Sequence, residues 1–183
     1  MDEAQMEQSE TGRVAATDGW FTVNIRDAAW VQNEYFGDAC IFEGPKVGFP
    51  EIGYTLCVLQ PGQPNGLYHR EDNQEDFLVL QGEALLIVEG QERRLKAWDF
   101  FHSPAGTDHI LVGAGEGPCI VFAIGARKQD DDDSKDTVFV GNETALKHGA
   151  GPEQDTPDNR VAYAPFPKWV NGPPPTFKGL PFA

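Results

Sequence analysis

Two stretches decide how this chain reads: HREDNQEDFLVLQG at residues 69–82 and PAGTDH at residues 104–109. In the first, His69 and Glu71 stand two apart, a spacing that on a strand turns both side chains to one face. Glu75 follows, and then an apolar run that Gly82 closes. The second stretch is a Pro/Gly turn that delivers His109 to the start of another apolar run, Ile110 to Val112. Imidazoles and carboxylates projecting from neighbouring strands into one interior are what a divalent transition metal requires: nitrogen donors, with anionic oxygens to neutralise its charge.

Outward from these stretches the pattern is that of strands, short apolar or alternating runs closed by Gly, Pro or Asn. Trp20 to Ile25 alternates, and Gly53 to Leu59 is an apolar run stopped by Gln60 and Pro61. Phe77 to Leu80 and Ala84 to Val88, separated by Gln81, Gly82 and Glu83, read as a hairpin. Arg94 to Phe101 reads as the next strand, and Pro118 to Ile124 closes the series. Turn signals recurring at this rate point to an antiparallel sandwich or barrel. One helix is expected, with Asn142 as N-cap for Glu143 to Lys147 and His148-Gly149 at its end.

On these residues the chain resembles the cupin superfamily. The first motif of that family, G-x5-H-x-H-x3-4-E-x6-G, is approached by Gly62, His69, Glu71, Glu75 and Gly82 in the form G-x6-H-x-E-x3-E-x6-G, with Glu71 standing where the family has its second histidine. The second, G-x5-P-x-G-x2-H-x3-N, is met at its centre by Pro104, Gly106 and His109, while Trp98 and Gly113 replace its outer glycine and asparagine. Those two replacements are expected to affect turn shape alone. The resemblance covers residues 54–124 and implies an all-β fold, a double-stranded β-helix or jelly-roll barrel, here with a short C-terminal helix and an extended Pro-rich tail. It also implies one divalent transition metal, Fe, Mn, Ni or Zn. Two ligand sets remain open: His69, Glu71, Glu75 and His109 together, or His69, Glu75 and His109 with Glu71 beside the metal as an acid or base. His102 and His148 read as structural, and Tyr68, Phe77 and Phe101 as barrel aromatics.

The chain divides into an arm at 1–18, a barrel at 19–126, an acidic linker at 127–136 and a C-terminal extension at 137–183 that packs on the barrel. The arm carries five acids, one base and hardly a bulky apolar residue, so it is expected to be mobile. Asp130 to Asp133 is expected to be a solvated loop. Eight of the 14 prolines lie beyond residue 151, which predicts an extended tail without regular structure, anchored by Phe166, Trp169, Phe177 and Phe182. The three cysteines, Cys40, Cys57 and Cys119, show no paired spacing and read as buried thiols.

With 14 Lys and Arg against 29 Asp and Glu, the net charge of −15 repels phosphate backbones and anionic lipid, which argues against nucleic acid and membrane partners. The segment Met1 to Glu10 lacks the basic start and apolar stretch of a secretory signal, so a soluble, cytoplasmic protein is expected. Two functions follow from the resemblance. One is a metal-dependent small-molecule enzyme of dioxygenase, isomerase or decarboxylase type, and the other is a non-catalytic barrel that binds or senses a small ligand. Exposed sheet edges in such a barrel predict a homodimer.

Overall fold

The computed structural model describes residues 1–127 and 137–182, and the tract Asp130 to Asp133 lies outside them. A short hairpin of β1 (Met6–Gln8) and β2 (Arg13–Ala15) comes first, followed by β3 (Ala29–Asn33), β4 (Gly37–Ile41) and the long β5 (Ile52–Leu59). Apart from Gly62, which follows β5, the two motifs lie within the segment of β6 (His69–Glu71), β7 (Glu75–Gln81), β8 (Glu83–Val88), β9 (Gln91–Lys96), β10 (Phe100–Ser103), β11 (His109–Ala114) and β12 (Cys119–Ala126). Beyond residue 136 come β13 (Thr137–Phe139), helix α1 (Glu143–Lys147), helix α2 (Asn159–Ala162) and β14 (Val170–Gly172).

These strands pair into a seven-stranded sheet, β10-β7-β12-β5-β4-β3-β14, and a five-stranded sheet, β13-β6-β11-β8-β9. Together they make the antiparallel double-stranded β-helix that the motifs imply. The barrel core lies between the sheets: Cys57, Leu59, Phe77, Val79, Cys119 and Val121 from one meet Ala84, Leu86 and Leu111 from the other. Alternate residues point the opposite way and are buried as well. Leu56, Val58 and Ile120 pack under the N-terminal segment and the tail, and Ile87, Ile110 and Val112 pack beneath Ala145 of α1. Burial on both faces is why β5, β11 and β12 read as continuous apolar runs rather than as alternation. All three cysteines are buried, and burial pushes each thiol up to about 12.

The expected helix forms where its cap residue places it. The Asn142 side chain accepts from the backbone N–H groups of Thr144 (2.9 Å) and Ala145 (3.2 Å), and Gly149 follows with φ of 66°.

Several local expectations are corrected. The runs flanking Gly82 are not a hairpin, because β7 pairs with β10 and β12 while β8 pairs with β9 and β11. Gly82, at φ 73°, is the corner where the chain leaves one sheet for the other. The true hairpin is β8–β9, whose two-residue turn Glu89-Gly90 has positive φ at both positions (49° and 71°), the geometry that matches strand twist. Arg94 to Phe101 is broken into β9 and β10 at Trp98, which lies at φ 75°.

Trp20 to Ile25 forms no ladder; Val23 and Ile25 instead pack on the cluster that contains Trp30. The arm expected to be mobile carries the β1–β2 hairpin, with Ala4, Val14 and Ala15 buried and Arg13 donating its backbone N–H to the Asp27 carbonyl at 2.6 Å. Small residues and main-chain bonds hold it, which a search for bulky apolar side chains overlooks.

The tail likewise gains α2 and β14, the latter paired with β3. Prolines offer carbonyls without N–H groups, so side chains of the body donate to them or to their neighbours. Asn33 bonds Pro167 (2.8 Å), Gln32 bonds Pro173 (2.9 Å) and Gln81 bonds Gly179 (2.7 Å), while Phe182 packs on Trp30 at 5.5 Å between ring centroids.

Candidate metal centre

The β6–β11 ladder makes His69 and His109 direct cross-strand partners on the inner face of the five-stranded sheet. Glu75 enters from the other side of the barrel, at the start of β7 in the seven-stranded sheet. Its Oε2 lies 3.2 Å from His109 Nε2 and 3.5 Å from His69 Nε2. Metal bonds of roughly 2.1 Å at 90–110° would set neighbouring donors roughly 3.0–3.4 Å apart, so these three atoms stand at the spacing of ligands around one ion.

Both imidazoles are turned for that purpose. His69 Nδ1 lies 2.7 Å from the Leu67 carbonyl, and His109 Nδ1 lies 3.0 Å from the Thr107 carbonyl and 3.2 Å from Ser103 Oγ. A carbonyl only accepts, so each Nδ1 carries a proton and each ring aims its Nε2 at the centre. His109 Nε2 and Glu75 Oε2 are buried with no hydrogen-bond partner and lie 3.2 Å apart. Orphaned polar atoms of this kind are rare in folded proteins and call for an unseen partner. A His/Glu cluster able to bind a metal is therefore present, and it consists of His69, Glu75 and His109.

The electrostatics agree. Burial alone would raise the Glu75 carboxyl, but the imidazoles of His109 and His69 beside it outweigh that and hold the group down to about 2. Burial would lower His69, yet Glu75, Glu71 and the Leu67 carbonyl raise it above the ordinary imidazole value. Glu71 is raised, first by burial and then by the charge of Glu75.

Glu71 is not one of the three convergent residues. Its Oε1 lies 3.8 Å from His69 Nε2 and accepts the Thr137 hydroxyl at 3.2 Å. His102 bonds Asp76 at 2.7 Å and His148 bonds Glu92 at 2.9 Å, both away from the centre. Tyr68 points to the opposite face from His69 and is packed with Ile87 and Ala145, whereas the rings of Phe77 (5.2 Å) and Phe101 (5.6 Å) flank His109.

The cluster borders a cavity of about 190 Å³ whose walls include Thr55, Asn65, Phe77 and Tyr163. A second hollow of about 280 Å³ shares Thr55 and Glu75 with it and adds Glu71, Asn73, Tyr54 and the paired Glu43 and Arg127. A larger space of about 680 Å³ under the tail, against β3 and β4, contains none of the cluster. Sequence reasoning missed Thr55, Asn65 and Tyr163; Tyr163 sits in the extension, where no motif spacing reaches.

Residues 55–125 match the family model described as the cupin domain. Among solved structures, the chain is similar to a sugar phosphate isomerase from a cupin superfamily of Silicibacter pomeroyi, with 26% identity and a TM-score of 0.44 over 50% of this chain and 59% of that one. The match thus spans about three fifths of the length of that protein. KdgF from Halomonas sp. is 23% identical with a TM-score of 0.50, over 62% of this chain and 98% of that one. The polyketide cyclase RemF from Streptomyces resistomycificus is 14% identical with a TM-score of 0.52, over 63% and 89%. The last two likenesses are likenesses of fold. No curated protein matches the chain.

Proposed function

We propose, from the premise that residues 55–125 of this chain are a cupin domain, that the protein is a metal-dependent enzyme acting on a small oxygen-bearing molecule such as an organic acid, diol or sugar. His69, Glu75 and His109 hold one divalent transition metal, of the Fe, Mn, Ni or Zn group. The observation that carries this reading is the pair of buried, unpartnered atoms, His109 Nε2 and Glu75 Oε2, set beside the Nε2 of His69 with both rings aiming Nε2 at the centre. A set of two histidines and one carboxylate leaves coordination positions open, and the metal supplies Lewis-acid or redox chemistry there.

The protein's own groups do the rest. Glu75 contributes the anionic oxygen and the two rings contribute neutral nitrogens. Phe77 and Phe101 flank His109 and give that side of the centre an apolar wall. Glu71, raised by burial and by the charge of Glu75, lines the outer hollow beside Glu75 and is suited to hold and pass a proton near a bound substrate.

Elemental analysis of protein purified without affinity metals, and again after reconstitution with iron, manganese, nickel or zinc, tests the centre. One equivalent is expected in the wild type and less than a tenth in the His69→Ala, His109→Ala double variant. Failure of every metal to bind the wild type would sink the proposal. Oxygen uptake and product formation against diols, keto acids and sugars then test turnover.

The reading extends to a cytoplasmic homodimer. Open edges at β10 and β9, with exposed Trp98 and Phe100 beside the first, support pairing. Among the described residues no helix is long and apolar enough to cross a membrane.

A further inference from the structure

We propose that Tyr163, carried in by the C-terminal extension, is the hydrogen-bond donor that positions an oxygen-bearing ligand bound at the centre of His69, Glu75 and His109. The proposal rests on the metal reading above. It concerns a residue outside the 55–125 domain, at the C-cap of α2.

Tyr163 lines the same cavity of about 190 Å³ as the three cluster residues. Its ring is clamped on several sides: Phe36 lies at 5.3 Å and Phe139 at 5.4 Å between centroids, both edge to face, and Phe166 at 6.4 Å. Such packing fixes where the hydroxyl can be, which makes it a directional group rather than a mobile one. The phenol oxygen accepts the backbone N–H of Leu67 at 3.3 Å. Among the described residues no protein oxygen accepts the phenol hydrogen in return. Leu67 is also the residue whose carbonyl takes the Nδ1 proton of His69, so one peptide segment orients both the ligating ring and the phenol.

The chain makes room for this approach. Gly66 also borders the cavity, and a Cβ there would lie 3.3 Å from the Tyr163 oxygen, tighter than ordinary packing allows. Burial raises the phenol above its usual range, so the group remains a protonated donor at neutral pH. A metal-bound hydroxyl, carbonyl or carboxylate oxygen is the acceptor chemistry that completes the arrangement.

The test uses the full chain loaded with cobalt(II) and acetohydroxamate as the oxygen-donor probe, followed by the d–d absorption of the metal. Tyr163→Phe keeps the ring and its packing, so cobalt content and melting temperature should match wild type while probe affinity falls about fivefold to tenfold. Gly66→Ala, which crowds the hydroxyl without removing it, should weaken the probe in the same direction with cobalt retained. Wild-type probe affinity in Tyr163→Phe would overturn the role of the tyrosine and leave the metal centre standing. Loss of cobalt from Tyr163→Phe would also overturn it, since the residue would then be structural. A wild-type protein that takes up no cobalt would overturn both readings together.

Discussion

His69 and His109 face each other as paired residues of the β6–β11 ladder, with ring centroids 5.0 Å apart, and Glu75 reaches both from the opposite sheet. The two sheets are thus tied at one point by groups that need each other's charge. His109→Ala leaves the buried Glu75 carboxylate with one imidazole instead of two. In metal-stripped protein this should cost about 3 kcal/mol of stability, read as a lower urea midpoint. An unchanged midpoint would show that Glu75 and His109 are not coupled.

The outer hollow is braced by a different pair. Arg127 donates to both oxygens of Glu43 at 2.7 Å and to the Phe49 carbonyl at 2.7 Å. The Arg127 hydrogen bond, more than burial opposes it, lowers the Glu43 carboxyl below its ordinary value. A carboxylate depressed in the folded state stabilises above its unfolded pKa and loses that contribution as pH falls through the folded one. Glu43→Gln should therefore cost about 1–2 kcal/mol at pH 7, with the gap from wild type closing below about pH 4. Melting temperatures of the two proteins across pH 3 to 7 check this, and a gap that persists at pH 3 would argue against the ion pair as its source.

Trp98 stands where the resembled motif has glycine, and the backbone there still has a glycine's conformation, φ 75°. The side chain is 76% exposed, so little packing repays the strain. Trp98→Gly is expected to raise stability by roughly 0.5–1 kcal/mol, the left-handed strain outweighing the added freedom of the unfolded chain. A clear fall in melting temperature at low protein concentration would mean that the indole makes contacts worth more than the strain.

Gly113, the other departure, is not a turn residue as expected but lies inside β11. A Cβ at this position would run into the Gln60 carbonyl and lie 3.0 Å from Leu59 Cβ. Backbone cannot give way there as a flexible side chain could. Gly113→Ala should destabilise by about 1–3 kcal/mol, and restoring the motif's asparagine should do at least as much harm. Chemical denaturation of both variants measures it; a neutral effect would place the Gln60 carbonyl elsewhere in solution.

Much of the barrel was legible because its signals are local. Runs that end in Gly or Pro mark β5, β7, β8 and β12, and the Asn142 cap marks α1 to the residue. What misled was partner choice. The run before Gly82 and the run after it look like two arms of a hairpin, yet hydrogen bonding sends them to different sheets, and nothing within fourteen residues of sequence records which strand β12 will choose. The strands of the arm are hidden for the opposite reason: Ala4, Val14 and Ala15 are too small to register as apolar anchors, yet they are buried in the fold.

Sequence by itself marked the barrel and the candidate groups His69, Glu71, Glu75 and His109, because motif spacing on strands limits which side chains can face one interior. Only tertiary structure brought His69, Glu75 and His109 within one ion's reach of one another. Glu71 shares the inward face with His69, but Thr137 on the neighbouring β13 takes its oxygen and the convergent atoms form without it. The same holds for Tyr163, which follows Glu75 by 88 residues and enters the cavity through the packing of an extension on Phe36 and Phe139. Spacing along a strand is a short-range rule; the docking of a distant segment is set by the shape and hydrogen-bonding needs of the surface that receives it.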